Sequence, residues 1–151
     1  MSEFMRWVTT THVRQRRVFT QSVGSGHLYQ GTYKSFPIEE DKHLIDVIRY
    51  VEQNPLRAHL VERAEDWQWS SLFRRQRGSA ADRKLLAELP TELPSNYLQS
   101  VNELFPKDHL DKIHYSIAKG APFGSDEWTR KTVEEYKMDG TLRGPGRPKL
   151  G

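Results

Sequence analysis

Residues 39–55, EEDKHLIDVIRYVEQNP, constrain the fold more than any other stretch of the chain. Glu39, Glu40 and Asp41 gather where they would oppose the positive end of a helix macrodipole. Leu44, Ile48 and Val51 follow at i, i+4 and i+7 with Ile45 beside them, which predicts a helix with one buried stripe. Pro55 disfavours helical geometry at Asn54, so the helix should finish about there. Val47, Tyr50 and Asn54 fall on a neighbouring face, which points the Tyr50 phenol and the Asn54 amide the same way.

Other segments read less sharply. Residues 2–19 place Phe4, Trp7, Val8 and Thr11 at helical spacing, with bases gathered at the far end. QSVGSG (21–26) breaks that helix, and HLYQGTYKSFPI (27–38) alternates like a strand ending at Pro37. Beyond Pro55 come a short apolar turn and the DWQW cluster, whose Trp67 and Trp69 are expected to pack as core or lid, with base stacking the minority reading. A short helix should open at Ser70 or Ser71, and residues 78–101 read as a helix plus a connection. FPKDHLDKIHYSIAKG (105–120) predicts a helix with Leu110, Ile113 and Ile117 buried and Gly120 as its stop. A last helix runs from a Ser125 cap to Gly140; the two form a packing hairpin or, less simply, a helix-turn-helix. One strand cannot make a sheet, so this inventory leaves the helices short of strands to cover.

Charge distribution narrows the function classes. The net charge is only +3, yet Arg6, Arg14, Arg16, Arg17 and Lys34 face a single acid, Glu3, in residues 1–36. Arg74, Arg75 and Arg77 make a second basic knot, and the chain ends in RGPGRPKLG. Such patches suit phosphate neutralisation, and equally a solvated surface. There is no cysteine, which excludes a disulfide framework, a thiolate nucleophile and a zinc knuckle. No window approaches the roughly 18 apolar residues of a membrane span, and the first residues do not read as a signal peptide. A cytoplasmic protein is the default expectation.

Three blocks in fixed order carry a resemblance: Gly26 to Lys34 (GHLYQGTYK), Tyr50 to Ala58 (YVEQNPLRA) and Trp69 to Ser71 (WSS). Together they resemble the second half of the REP-associated tyrosine transposases, single-tyrosine members of the HUH superfamily. KGAPFGSDEWTRKT and LRGPGRPK resemble that family's tail, so the likeness covers most of the chain. It implies an α+β class, with part of a ferredoxin-like βαββαβ domain over 1–77, mostly helical as it stands. A helix and connection over 78–104, a helical extension over 105–142 and a basic disordered tail over 143–151 would follow.

The resemblance also implies a chemistry. Tyr50 would attack a DNA phosphodiester and become linked to the 5′ end, at single-stranded or hairpin DNA formed by repetitive palindromes. A phenol has an ordinary pKa of about 10, so such a site needs help. In the family a magnesium or manganese ion supplies it, held by an H-hydrophobic-H pair and by the residue matching Asn54. The six histidines, His12, His27, His43, His59, His109 and His114, contain no such pair. The expectation is therefore a chain that begins inside the domain, does not hold the metal alone and does not cleave alone. Asn54 by itself cannot hold a hard octahedral ion. A non-catalytic DNA-binding remnant or regulator, nucleoid-associated in a bacterial cytoplasm, is the alternative, and a fragment that never folds is a third.

Phosphate contacts are expected from Arg14, Arg16, Arg17, Lys34, Arg57, Arg74, Arg75, Arg147 and Lys149. GRPK (146–149) resembles the core of a minor-groove hook, as the minority reading beside a plain disordered tail. His43 is expected to be a solvated surface histidine rather than a ligand. His59 stands where the family has glycine; if that position needs positive φ, histidine would cost about 1–2 kcal/mol.

Overall fold

Every regular element among the described residues is helical. The structure, a computed structural model, describes residues 2–22, 28–29 and 34–142. Two compact units divide it, Met1–Ser35 and Phe36–Gly151. The first contains α1 (Ser2–Thr20), which matches the helical spacing of its sequence. Phe4, Trp7, Val18 and Phe19 on this helix are exposed, and His12 Nδ1 meets the Tyr29 hydroxyl at 2.6 Å.

The second unit is organised around α2 (Lys42–Glu52). Asp41 caps it by accepting from the His43 N–H at 2.7 Å, so the acids precede the first turn rather than occupy it. Ile45 and Ile48 pack against Ala64, Leu72, Tyr97 and Val101. Val47 and Tyr50 pack against a separate cluster of Phe105, Ile113 and Phe123. The helix thus buries two faces rather than the single stripe its sequence predicts, and Val51, expected inside, is 56% exposed.

After Gln53 the chain re-enters α3 (Asn54–Arg57), followed by a 3₁₀ turn (Ala64–Asp66) and α4 (Ser71–Arg77). Ser70 caps α4 by accepting from the Phe73 N–H at 3.0 Å. α5 (Ala80–Lys84) opens with a Ser79–Asp82 capping box, and α6 (Tyr97–Asn102) follows the two-proline connection. α7 (Lys107–Lys119) ends on Gly120 at φ 67°. α8 (Asp126–Tyr136) is capped by Ser125 and stops at Lys137, φ 54°, before the expected Gly140. Gly140 instead lies within α9 (Asp139–Leu142). The segments expected to divide at 77/78 and 104/105 share cores: α2, α4 and α6 meet in one, and α2 and α7 in the other.

The expectation of an α+β, ferredoxin-like domain is wrong for the described residues, which contain no sheet. Of the predicted strand, residues 27 and 30–33 lie outside the described part; residues 34–37 have no regular structure. The reason is a missing neighbour. Ile38 forms one isolated parallel bridge with Phe123. There the Glu39 N–H donates to Phe123 O at 3.0 Å and the Phe123 N–H to Pro37 O at 2.9 Å. With those groups satisfied by the α7–α8 linker, and no second strand alongside among the described residues, alternation alone builds no sheet. That linker is itself packed inward, with Ala121, Pro122 and Phe123 buried.

The end of α2 is held by polar contacts. Glu52 is 2% exposed, and its Oε1 accepts from Ser71 Oγ at 2.6 Å and from Arg75 Nη1 at 3.0 Å. Its Oε2 accepts from the Tyr97 hydroxyl at 2.6 Å. Burial, and then the adjacent Glu52 carboxylate, push the Tyr97 phenol well above its ordinary pKa. Gln53, fully buried, and Arg49 both donate to Glu103 O at the end of α6.

Two outcomes follow from this packing. Tyr97→Phe strands Glu52 Oε2 without a donor and should cost about 1–3 kcal/mol at neutral pH in urea unfolding. A raised folded-state pKa means that Tyr97 contributes fully below about pH 10 and loses its contribution as pH rises through the folded value. The gap between wild type and Tyr97→Phe should therefore narrow in alkali; a pH-independent gap would contradict this. His59 has φ 55° and closes α3, its N–H donating to Leu56 O at 3.0 Å while Leu60 N–H donates to Pro55 O at 2.9 Å. His59→Gly should raise stability by about 0.5–1 kcal/mol, measured as a higher urea midpoint with an unchanged slope.

Candidate functional site

Tyr50, Asn54 and Arg57 meet where α2 passes into α3. Tyr50 is half-buried, with its ring set against the Phe105–Ile113–Phe123 cluster. Gln53, at φ −78° and ψ −15°, keeps the chain turning between the helices. The Arg57 guanidinium lies 4.8 Å from the Tyr50 ring centroid. The same side chain donates from Nη1 to Asn54 Oδ1 at 3.3 Å. One cation therefore touches both residues that the helical spacing placed on a common face.

A fourth side chain arrives from α7. His114 Nε2 lies 3.2 Å from the Tyr50 hydroxyl, and the two rings meet edge to face with centroids 5.6 Å apart. α7 is seated by Ile113, which is fully buried, with Leu110 and Ile117 beside it. Position 114 follows Ile113 and stands one turn before Ile117, at the margin of that stripe, so its imidazole reaches both core edge and solvent. His114 has no histidine one residue away, so the paired-histidine pattern does not single it out. Its place on the margin of an apolar stripe was the available signal.

The remaining expected phosphate contacts divide. Arg14 and Arg16 are exposed on α1, Arg17 lies in its last turn, and Lys34 is exposed. Arg74 pairs with Asp82 at 3.0 Å, and Arg75 pairs with the buried Glu52, which commits its charge to the interior. Arg147 and Lys149, with the rest of 143–151, lie outside the described residues, as does most of the Gly26–Lys34 block. Arg57 differs from Arg63, Arg74, Arg75 and Arg77 in pairing with no carboxylate among the described residues. Trp67 is partly buried, whereas Trp69 is 69% exposed, so core packing does not describe Trp69.

A divalent ion does not fit at the Tyr50 turn. Asn54 Oδ1 already accepts from Arg57, whose fixed positive charge would oppose a cation there. Among the described residues, one group of side chains could converge on an ion: Glu39, Asp41 and His43, with ligand atoms within 4.8 Å of one another. Asn54 is not among them, and their contacts are those of helix caps. Glu39 accepts from the Ser125 N–H at 2.7 Å and from Ser125 Oγ at 3.3 Å, at the start of α8. Gly124 leaves room for this, since a Cβ there would come within 2.8 Å of Glu39 Oε2. Burial pushes the Asp41 carboxyl up, but the His43 N–H and imidazole outweigh it and hold the carboxyl below its ordinary range. His43, expected as a solvated surface residue, instead packs edge to face on Phe123 at 5.4 Å.

No protein-family model, no curated protein and no solved structure matches this chain. No helix among the described residues is long and apolar enough to cross a membrane.

Tyr50→Phe removes one hydrogen bond to an exposed histidine and leaves the ring in its packing. Its melting free energy should stay within about 1 kcal/mol of wild type, which a urea titration would check. A loss above about 2 kcal/mol would show that the phenol is structural.

Proposed function

We propose that this chain is a DNA-binding protein of REP-associated tyrosine transposase type, engaging single-stranded or hairpin DNA at the α2–α3 turn. One observation carries the reading: a guanidinium matched to no carboxylate stands between a tyrosine hydroxyl-bearing ring and an amide, beside an imidazole. Guanidinium, amide and phenol groups are donors of the kind that hold phosphate oxygens. The ordered blocks Gly26–Lys34, Tyr50–Ala58 and Trp69–Ser71 support the same reading through their resemblance to that family. The exposed Arg14 and Arg16 add positive charge that suits a polyanion. The proposal covers binding and not metal-dependent cleavage, since Asn54 Oδ1, the ligand atom implied by the resemblance, accepts from the Arg57 guanidinium.

The reading is tested by fluorescence anisotropy with a labelled hairpin oligonucleotide carrying a single-stranded flank, across a salt series. Binding should weaken steeply with salt, and Arg57→Ala should lower affinity for all flanks while reducing the logarithmic salt slope by about one. No binding at low salt, or an unchanged slope in Arg57→Ala, would refute it.

A further inference from the structure

We propose that the aromatic groove on α8 is a docking site for the proline-containing basic tail of the same chain, residues 143–149. Docking there is independent of the DNA-binding reading. A groove, a motif and a tether carry it.

Trp128, Thr132, Glu135 and Tyr136 follow one another at i, i+4, i+7 and i+8, so they share one face of α8. With Pro37 and Met138 they line a groove of about 450 Å³. Thr132 is buried, Trp128 is half-buried, and Tyr136 is 65% exposed. Eight residues separate the two aromatics, which puts them about 12 Å apart along the helix. Packing sets both sides of the groove. Gly124 leaves room for the indole, since a Cβ there would come within 2.5 Å of Trp128 Cε3. Pro37 is held where its carbonyl accepts from the Phe123 N–H at 2.9 Å.

The motif is RGPGRPK, 143–149, which lies outside the described residues. Its Pro145 and Pro148 stand three positions apart. A polyproline II helix has three residues per turn and rises about 3.1 Å per residue, which sets both rings on one edge about 9 Å apart. Segments with this spacing dock in aromatic-lined grooves, and one ring can meet each aromatic of the α8 face. Charge matches as well. The segment carries Arg143, Arg147 and Lys149 with no acid. Glu135 lines the groove and forms no ion pair among the described residues.

The tether keeps the two close. Lys137, at φ 54°, turns the chain at the end of α8, and Met138 then lines the groove. α9 ends at Leu142, just after the Tyr115 hydroxyl donates to Thr141 O at 3.2 Å. The six residues from 143 to 148 reach about 20 Å when extended, more than the length of the groove. Such a tether gives an effective concentration of about millimolar, so a weak intrinsic affinity is enough for docking.

The experiment uses the full chain. It has no cysteine, so Leu150→Cys places a single nitroxide beyond Pro148. Nuclear magnetic resonance intensities of the Trp128 indole and of the Thr132 and Glu135 amides are compared with the nitroxide oxidised and reduced. They should fall by at least about half, as for a tail docked most of the time. Adding Pro145→Ala with Pro148→Ala should restore most of that intensity, and so should Tyr136→Ala or Glu135→Lys. The proline changes lie beyond α9 and the Tyr136 side chain is exposed, so circular dichroism should show unchanged helix content. A tail merely tethered at Leu142 would broaden α8 equally in every variant. Equal broadening after the proline changes, or full intensity in the starting chain, would therefore overturn the inference. A mixture of nitroxide-free, isotope-labelled chain with nitroxide-bearing, unlabelled chain should show no broadening; broadening of α8 there would place the tail on a second copy and overturn docking within the chain.

Discussion

The Glu52 carboxylate is the constraint on which the second unit depends. A carboxylate this deeply buried is unfavourable unless each oxygen has a donor, and Glu52 finds three, from Ser71, Arg75 and Tyr97. Those donors sit on α4 and α6, so satisfying one charge fixes two helices against the end of α2. The adjacent Gln53 and Arg49 reach Glu103 O and tie the same helix end to the end of α6. The turn that carries Tyr50, Asn54 and Arg57 begins at this point. Its residues are placed by a polar lock on one side of α2 and by the Phe105–Ile113–Phe123 core on the other.

That arrangement holds the Tyr50, Arg57 and His114 side chains together although the cluster is not buried. The phenol ring is packed, its hydroxyl reaches outward, and the groups that meet it come from two different helices. An arginine lies over the ring and donates to Asn54, so a positive charge stands beside both residues. The cluster keeps the tyrosine and amide that the resemblance pointed to, but surrounds them with a guanidinium and an imidazole.

The legible parts of the sequence were local. Helical spacing placed α1, α2, α7 and α8, and the caps at Ser70, Gly120 and Ser125 stand where side-chain chemistry predicted them. The Tyr50–Asn54 relation also came from spacing alone. What spacing could not show was partnership. Val51 reads as a core residue by period, yet the helix turns Val47 and Tyr50 inward instead because two cores flank it. The 27–38 alternation reads as a strand, but its described end finds only Phe123 to pair with. Arg75 reads as a phosphate contact until Glu52 appears beside it, and nothing in the local pattern brings His114 to Tyr50. Each of these depends on residues far apart in the chain, where local pattern carries no information.

The central claim is that the α2–α3 turn and the facing edge of α7 form one DNA-binding site. Nuclear magnetic resonance titration of the isotope-labelled chain with a hairpin oligonucleotide tests it most directly. The account predicts that resonances of Tyr50, Asn54, Arg57 and His114 shift together, along one saturating curve. Shifts confined to α1, with these four residues unmoved at saturation, would contradict it.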